Sequence, residues 1–440
     1  MPERPNILFF FTDDQRFDTV GALGNPEIIT PNMDRLVDQG TTFTHATIQG
    51  STRPAVCLPS RAMLMTGRGL YHAPDDCGDF VTLPQHLQAH GYATFGTGKW
   101  HNQPSSYARS FSDGGKIFFG GMSDHLEVPV YDFHPGGRYP EEDRYIGEKF
   151  SSELFSDAAI DFIECQNGDA PFMAYVSYTA PHDPRMAPEE YEDLYDPARI
   201  EVPENFHPVH PFNNGEMVIR DEMLAPFPRT PEIAQEQIAA YYAMITHLDA
   251  HIGRVLETLE ERGHADDTII VFAGDNGLAV GQHGLMGKQN MYDHSIRVPL
   301  VISGPGIPEG ERSDALCYLT DLFSTVCDVV DLPTPESVEG RSLAPILQGQ
   351  SDVGGYESLF FAYRACQRAI RDDRWKLVEY FGEAERVTQL FDLAADPWET
   401  ANLASTPEMD EQLMRLRGEL ERWQREIDDP LSGEIAWDED

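Results

Sequence analysis

The chain has 440 residues, 41% of them apolar and 10% aromatic, and 74 acidic against 32 basic side chains give a formal charge of −42. A single core rarely grows past about 250–300 residues, so one large domain plus a smaller one is expected and wholesale disorder is excluded. Charge of this sign excludes the electrostatic footprint of a DNA, RNA or anionic-membrane partner, and no apolar run approaches the ~20 residues needed to span a bilayer.

Only five basic residues are lysine: Lys99, Lys116, Lys149, Lys288 and Lys376. An acidic, lysine-poor surface suits a saline medium and suits ordinary solubility equally. The six cysteines are scattered, with no CxxC pair. Reduced thiols and a cytoplasmic protein are therefore expected. The opening MPERPNILFFFTDD carries no signal-peptide pattern; a periplasmic or secreted location follows if a leader was removed.

In chain order, residues 6–12 (NILFFFT) form a continuous apolar run of strand length, which predicts a strand covered on both faces. Thr30-Pro31 then opens a short helix carrying Met33, Leu36 and Val37, stopped at Gly40. Residues 83–90 repeat that arrangement behind Thr82, and 172–178, 268–273 and 299–303 are further buried-strand candidates. Between them a long helix is predicted over 231–262, capped by Thr230 and ended by Gly263, with apolar residues mostly three or four apart. Strands alternating with helices predict an α/β fold, a large mixed, mostly parallel sheet sandwiched by helices. Residues 102–147 and 197–231 show no period and read as long functional loops. After Pro345 the pattern changes to short strands (359–363, 368–370, 375–380, 389–392) and a last helix with Leu413, Leu416, Leu420, Trp423 and Ile427. The expected division is a catalytic α/β domain over 1–345 and a small C-terminal antiparallel sheet plus helix over 346–440.

Two acidic pairs stand where apolar strands end: Asp13-Asp14 and Asp275-Asn276. Ligands of open α/β sheets bind at the carboxyl ends of strands, and oxygen donors in this number suit a hard cation, Ca²⁺ or Mg²⁺. Solvated turn residues fit the same positions.

The segment Cys57-Leu58-Pro59-Ser60-Arg61, continuing to Gly67, resembles the first signature of the type I sulfatases of the alkaline phosphatase-like superfamily, C-x-P-S-R followed by x-x-x-(apolar)-T-G. GYATFGTGKWH at 91–101 is similar to the family's second signature, and PNILFFFTDD, GDNG at 274–277, the block 283–306 and DLFSTVCDVVDLP also match in order. This resemblance implies a sulfatase hydrolysing O-sulfate esters, with Cys57 oxidised by a formylglycine-generating maturation enzyme. It further implies that Asp13, Asp14, Asp275, Asn276 and the modified Cys57 hold Ca²⁺ or Mg²⁺. Arg61 would stabilise the hydrated aldehyde, and Lys99 and Lys288 would neutralise sulfate oxygens. His182, assisted by Lys288, would protonate the departing alcohol, and His101 would remove a proton to expel sulfate. The substrate expected is a small or terminal sulfated sugar or oligosaccharide, because an acidic surface repels a polyanionic chain. Aromatic residues of 102–147 (Tyr107, Phe118, Phe119, Tyr131), with His125, His134 and Arg138, suit a sugar ring as well as they suit packing under the loop. His72, His125 and Arg185 are further candidates for substrate contact. Tyr292, Asp293 and Arg297 are assigned to holding the Lys288 loop. Two rivals stand beside this reading: a phosphonate monoester or phosphodiester hydrolase of the same superfamily, and a carbohydrate-binding pseudoenzyme with unconverted Cys57.

Overall fold

The structure, a computed structural model, describes residues 4–350, 355–382 and 386–433. In chain order the strands are β1 (Asn6–Thr12), β2 (Gly40–Thr47), β3 (Gly50–Ser51), β4 (Ala93–Lys99), β5 (Asp113–Phe118), β6 (Pro129–Val130), β7 (Tyr145–Ile146) and β8 (Phe172–Ser177). They continue with β9 (Thr268–Gly274), β10 (Leu300–Ser303), β11 (Glu311–Tyr318), β12 (Leu359–Tyr363), β13 (Gln367–Arg371), β14 (Trp375–Phe381) and β15 (Arg386–Asp392).

Eight strands form the main sheet in the order β11-β2-β10-β9-β1-β8-β4-β5. Every pair is parallel except the two made by β10, which runs against both β2 and β9. Strand β1 shows why its run is continuously apolar. Ile7, Phe9 and Phe11 face one core with Ala62, Met63, Leu87 and Leu322, while Leu8 and Phe10 face the other with Leu36, Phe155, Ile245 and Leu248. Period-two alternation thus buries both faces of one strand beneath two helical layers. The long helix spans Pro231–Glu261, and Thr230 Oγ1 accepts the Ile233 N–H as its cap. At the first short helix, Pro31–Asp38, Thr30 Oγ1 instead donates to Asp34 and accepts from Gly21 N–H.

A second sheet has the order β15-β14-β13-β12-β3, antiparallel apart from β3 against β12. Its helix, Asp410–Glu426, packs Leu416, Leu420 and Trp423 inward. The inner side chains of this sheet, Phe360, Ile370 and Leu377 among them, belong to the same core as Phe9 and Phe11.

Residues 102–147 are not one long loop. They hold the helix Pro104–Ser110, the edge strand β5 and the hairpin β6–β7. Strand β5 begins Asp113-Gly114-Gly115 with an exposed outer edge, so neither period nor β-propensity announces it. The aromatic residues there make their own cluster, with Phe119 near Tyr107, Tyr131 and Tyr139 at centroid distances of 5.8, 5.5 and 4.9 Å. Tyr107 and Phe118 are buried and pack under the loop, while Phe119 and Tyr131 are partly exposed. His134 accepts the Gly136 N–H and so serves its own turn.

Candidate active site

Register decides where the chemistry collects. Thr12 lies opposite Gly274, Phe11 opposite Ser177, and Gly98 opposite Ser177, so β9, β1, β8 and β4 end at one level. The residues that follow those ends are Asp275-Asn276, Asp13-Asp14, the turn to His182, and Lys99 with His101. The carboxyl edge of a parallel sheet is where such folds gather ligand groups. Across this edge lies the helix Cys57–Thr66, whose first residue, Cys57, meets the positive end of the helix dipole.

The carboxylates are buried and interlocked. The Asp14 N–H donates to Asp275 Oδ1 at 3.0 Å, and Asn276 Nδ2 donates to Asp14 Oδ1 at 2.8 Å. Lys99 Nζ lies 2.6 Å from Asp13 Oδ2, and Lys288 Nζ lies 2.6 Å from Asp14 Oδ1. Ser60 and Arg61 both grip Asp275: Ser60 Oγ donates to its carbonyl, and Arg61 Nε reaches Oδ2 at 2.9 Å. Arg61 Nη1 also donates to Lys99 O and Ser177 Oγ, while Nη2 is buried without a hydrogen bond, 3.9 Å from Asp13 Oδ1. The serine and arginine of the first motif therefore fasten the helix to the end of β9.

Burial pushes the Asp13 carboxyl up to about 6 and the Asp275 carboxyl up to about 7, Asp13 itself adding to the latter. Asp14 is held below the ordinary carboxylate range despite its burial, chiefly by Lys288 and then by His182. Two oxygen acceptors, Asp13 Oδ1 and Asn276 Oδ1, are buried with no hydrogen-bond partner. Acceptors without donors, in a nest of carboxylates, are what a hard cation would satisfy. Ligand atoms of Asp13, Cys57 and Asp275 lie within 4.8 Å of one another, as do those of Asp13, Asp14 and His182. The donor set fits a divalent ion bound through oxygen.

Cys57 Sγ lies 3.4 Å from Lys99 Nζ and 3.4 Å from His101 Nδ1. Burial first, then Lys99, Arg61 and Lys288, push the His101 imidazole down to about 2, so its ring is neutral. The second motif is legible in this geometry. A Cβ on Gly98 would stand 1.8 Å from Ser177 O, so only glycine lets β4 approach β8 at that point. Trp100 is buried with Nε1 on Gln103 O and Ser106 Oγ, anchoring the turn on which His101 takes φ +67°. Asp14 also sits in the left-handed region, at φ +63°. Non-glycine residues held there mark a site whose surroundings enforce the conformation.

His182 points Nε2 toward Asp14 Oδ2 at 3.6 Å, and its Nδ1 lies 2.9 Å from Asp183 O. The Lys288 loop is secured from the small sheet. Tyr292 OH donates to Gln389, and Asp293 pairs with Lys376, Arg371 and Arg297. At Gly277 a Cβ would lie 2.2 Å from His294 O, which accounts for the last glycine of GDNG.

Of the suggested substrate contacts, His72 sits between Glu339 and Asp428, and His125 is buried on Ser151 Oγ and His182 O. Arg185 donates through Nη1 to Gln237, while its Nε and Nη2 are buried with no hydrogen-bond partner. Residues outside the motifs also matter. Ser177 ends β8 on Arg61, and Tyr241 OH donates to Asp14 O while accepting the Arg16 N–H. Their only sequence signal is a polar residue on an otherwise apolar strand or helix face.

The family model "Sulfatase" matches residues 5–332, and "N-sulphoglucosamine sulphohydrolase, C-terminal" matches 281–426. The chain is 29% identical to an ulvan-active sulfatase of Formosa agariphila, over 99% of this chain and 82% of that protein. It is 26% identical to an N-acetylglucosamine-6-O-sulfatase of Bacteroides thetaiotaomicron, over 97% and 87%. A structure solved with its substrate D-glucosamine-2-N,6-O-disulfate shares the fold at TM-score 0.82 and 24% identity, covering 99% of this chain and all of that one. The chain belongs to the sulfatase family, and the reaction its centre serves is hydrolysis of a sulfate ester.

Proposed function

We propose that this sulfatase removes an O-sulfate from a small or terminal sulfated sugar, with residues 1–345 supplying the reacting centre and 346–440 buttressing the Lys288 loop. The observation that carries the catalytic assignment is the meeting of Cys57 Sγ with Lys99 Nζ and His101 Nδ1, each at 3.4 Å, beside the carboxylates. The sugar is supported by the named activities of the two similar sulfatases.

Asp13, Asp14, Asp275 and Asn276 would hold Ca²⁺ or Mg²⁺, which lowers the pKa of an oxygen nucleophile and shields the anionic ester from it. A formylglycine made from Cys57 would supply that oxygen. Lys99 and Lys288 are fixed by Asp13 and Asp14, so their charge is in place before sulfate oxygens arrive and costs no reorganisation. Neutral His101 takes a proton at Nδ1 from the group at position 57. With Nδ1–H of His182 donating to Asp183 O, Nε2 delivers a proton to the departing alcohol from the imidazolium form, with Asp14 Oδ2 at 3.6 Å facing that charge. Arg61 keeps Asp275 and the start of the helix in register.

The test is a panel of defined sulfated mono- and oligosaccharides, intact sulfated polymer and an aryl phosphonate ester, presented to converted enzyme. Turnover of short sulfated sugars well above polymer and phosphonate supports the proposal. Preferential release from the interior of polymer would overturn the pocket reading, and faster phosphonate turnover would overturn the reaction class.

A further inference from the structure

We infer that Arg220 is a positioning residue that ties the turn carrying His182 to the loop carrying Lys288. The inference rests on the assignment of His182 as proton donor to the leaving alcohol.

The stretch around the single turn Asp221–Leu224 is fastened in two directions. Asp221 Oδ2 accepts from Gln289 Nε2 at 2.7 Å, and Gln289 also donates to Pro54 O, three residues before Cys57. Glu222 accepts the N–H groups of Met286 and Gly287, both at 2.9 Å, and is paired with Arg229. These contacts bind the turn to the Lys288 loop. Arg220 reaches the other way. Its Nη1 and Nη2 each lie 2.8 Å from one oxygen of Asp183, while its Nε donates to Asp221 Oδ1 at 3.1 Å. The Asp183 carboxylate in turn lies 3.3 Å from His182 Nδ1.

A closed ring results. From Asp14 it runs through His182, Asp183, Arg220, Asp221 and Gln289 to Lys288, whose Nζ returns to Asp14. The two groups assigned to the leaving-group side thus stand on separate loops, and Arg220 sets the spacing between them. A guanidinium suits this work because its planar fork fixes both oxygens of one carboxylate and still leaves Nε for a second. A lysine can hold one oxygen at a time.

The Arg220 side chain is 44% exposed, but the Asp183 carboxylate it holds is only 7% exposed. Loss of the guanidinium therefore costs stability as well as position, and the leaving-group dependence of the rate tells the two apart, because a loss of stability alone does not move it. Displacing a reacting group by about 1 Å can cost on the order of 10²-fold in rate.

The experiment compares converted wild type, R220Q, R220K, H182A and R220Q/H182A on sulfate esters of graded leaving-group pKa, with melting temperature and metal content measured for each. For R220Q we expect a loss of roughly 10-fold or more on alkyl and sugar sulfates, only a few-fold loss on nitrophenyl sulfate, a lowered melting temperature and unchanged metal. R220K should recover part of the loss, and R220Q/H182A should be no slower than H182A on the poor leaving groups. If H182A steepens the leaving-group dependence and R220Q does not, Arg220 has no positioning role. Equal losses for H182A on every ester would instead overturn the assignment of His182. A double variant slower than H182A by the full R220Q factor would show that Arg220 acts elsewhere, against the proposal.

Discussion

Two buried ionic clusters flank the Lys288 loop, and only one of them asks for a ligand. Below the loop, Asp293 is enclosed by Lys376, Arg371 and Arg297 and its carboxyl is driven well below the ordinary range, while Glu399, which accepts the Asp293 N–H and pairs with Lys376, is pushed up to about 7 by burial. Cations in contact satisfy Asp293, and it holds the small sheet against the loop. Above the loop, three carboxylates also face three cations, yet the Asp13 and Asp275 carboxyls are pushed upward and two oxygen acceptors stand empty. Formal charge balance is therefore no guide to which cluster is a site. The difference lies in the acceptors without a hydrogen bond: Glu399 Oε1 has Lys376 Nζ at 2.7 Å, whereas Asp13 Oδ1 has Arg61 Nη2 only at 3.9 Å. A dication added to the upper cluster would leave a surplus of positive charge, which matches the anionic ester and the dianionic sulfate released.

The comparison can be broken from the upper side first. Cys57→Ala should abolish turnover while leaving melting nearly unchanged, because it changes the charge of neither cluster. Active wild type should carry a loss of about 18 Da on the peptide containing Cys57, read by peptide mapping. Full activity with an intact thiol would contradict the assignment. The lower cluster should answer differently. Lys376→Met leaves Asp293 and Glu399 buried beside one cation fewer, and losing one partner of such a group costs about 3–5 kcal/mol. Denaturant unfolding should show that loss, while the folded fraction keeps its bound metal.

The smallest expected effect is one of pH. Asp13 and Asp275 rise from 3.8 to about 6 and about 7 on folding without a cation, so the stability they lend is full below pH 3.8 and lost as pH rises through 6 to 7. Bound metal needs both ionised. The gain in melting temperature on adding Ca²⁺ or Mg²⁺ to chelated protein should therefore be larger at pH 8 than at pH 5.5. A gain independent of pH would place the ion away from these carboxylates.

The main sheet was legible because its central strands are buried on both faces and read as unbroken apolar runs, as in β1, β8 and β9. The direction of β10 was not, since PLVIS is equally apolar whichever way it runs. Strands β2 and β11 escaped notice because Thr41, Thr42, Thr44 and His45, or Glu311, Arg312 and Asp314, dilute the apolar signal near the sheet edge. The reacting centre was legible through motif spacing, and its geometry gives the motifs their reasons: Gly98 for the approach of β4 to β8, Ser60 and Arg61 for the grip on Asp275. The ring through Asp183, Arg220 and Asp221 was hidden. Asp183 lies 37 residues before Arg220, and all three look like ordinary surface charges in the sequence.

The central claim is that the carboxylates at the ends of β1 and β9 form a cation site serving Cys57. Its most direct test is elemental analysis of native protein and of Asp275→Asn, with activity followed through chelation and metal return. The account predicts one Ca²⁺ or Mg²⁺ per native chain, little in Asp275→Asn, and activity that leaves and returns with the ion. Full activity in chelated protein, or stoichiometric zinc in the native chain, would contradict it.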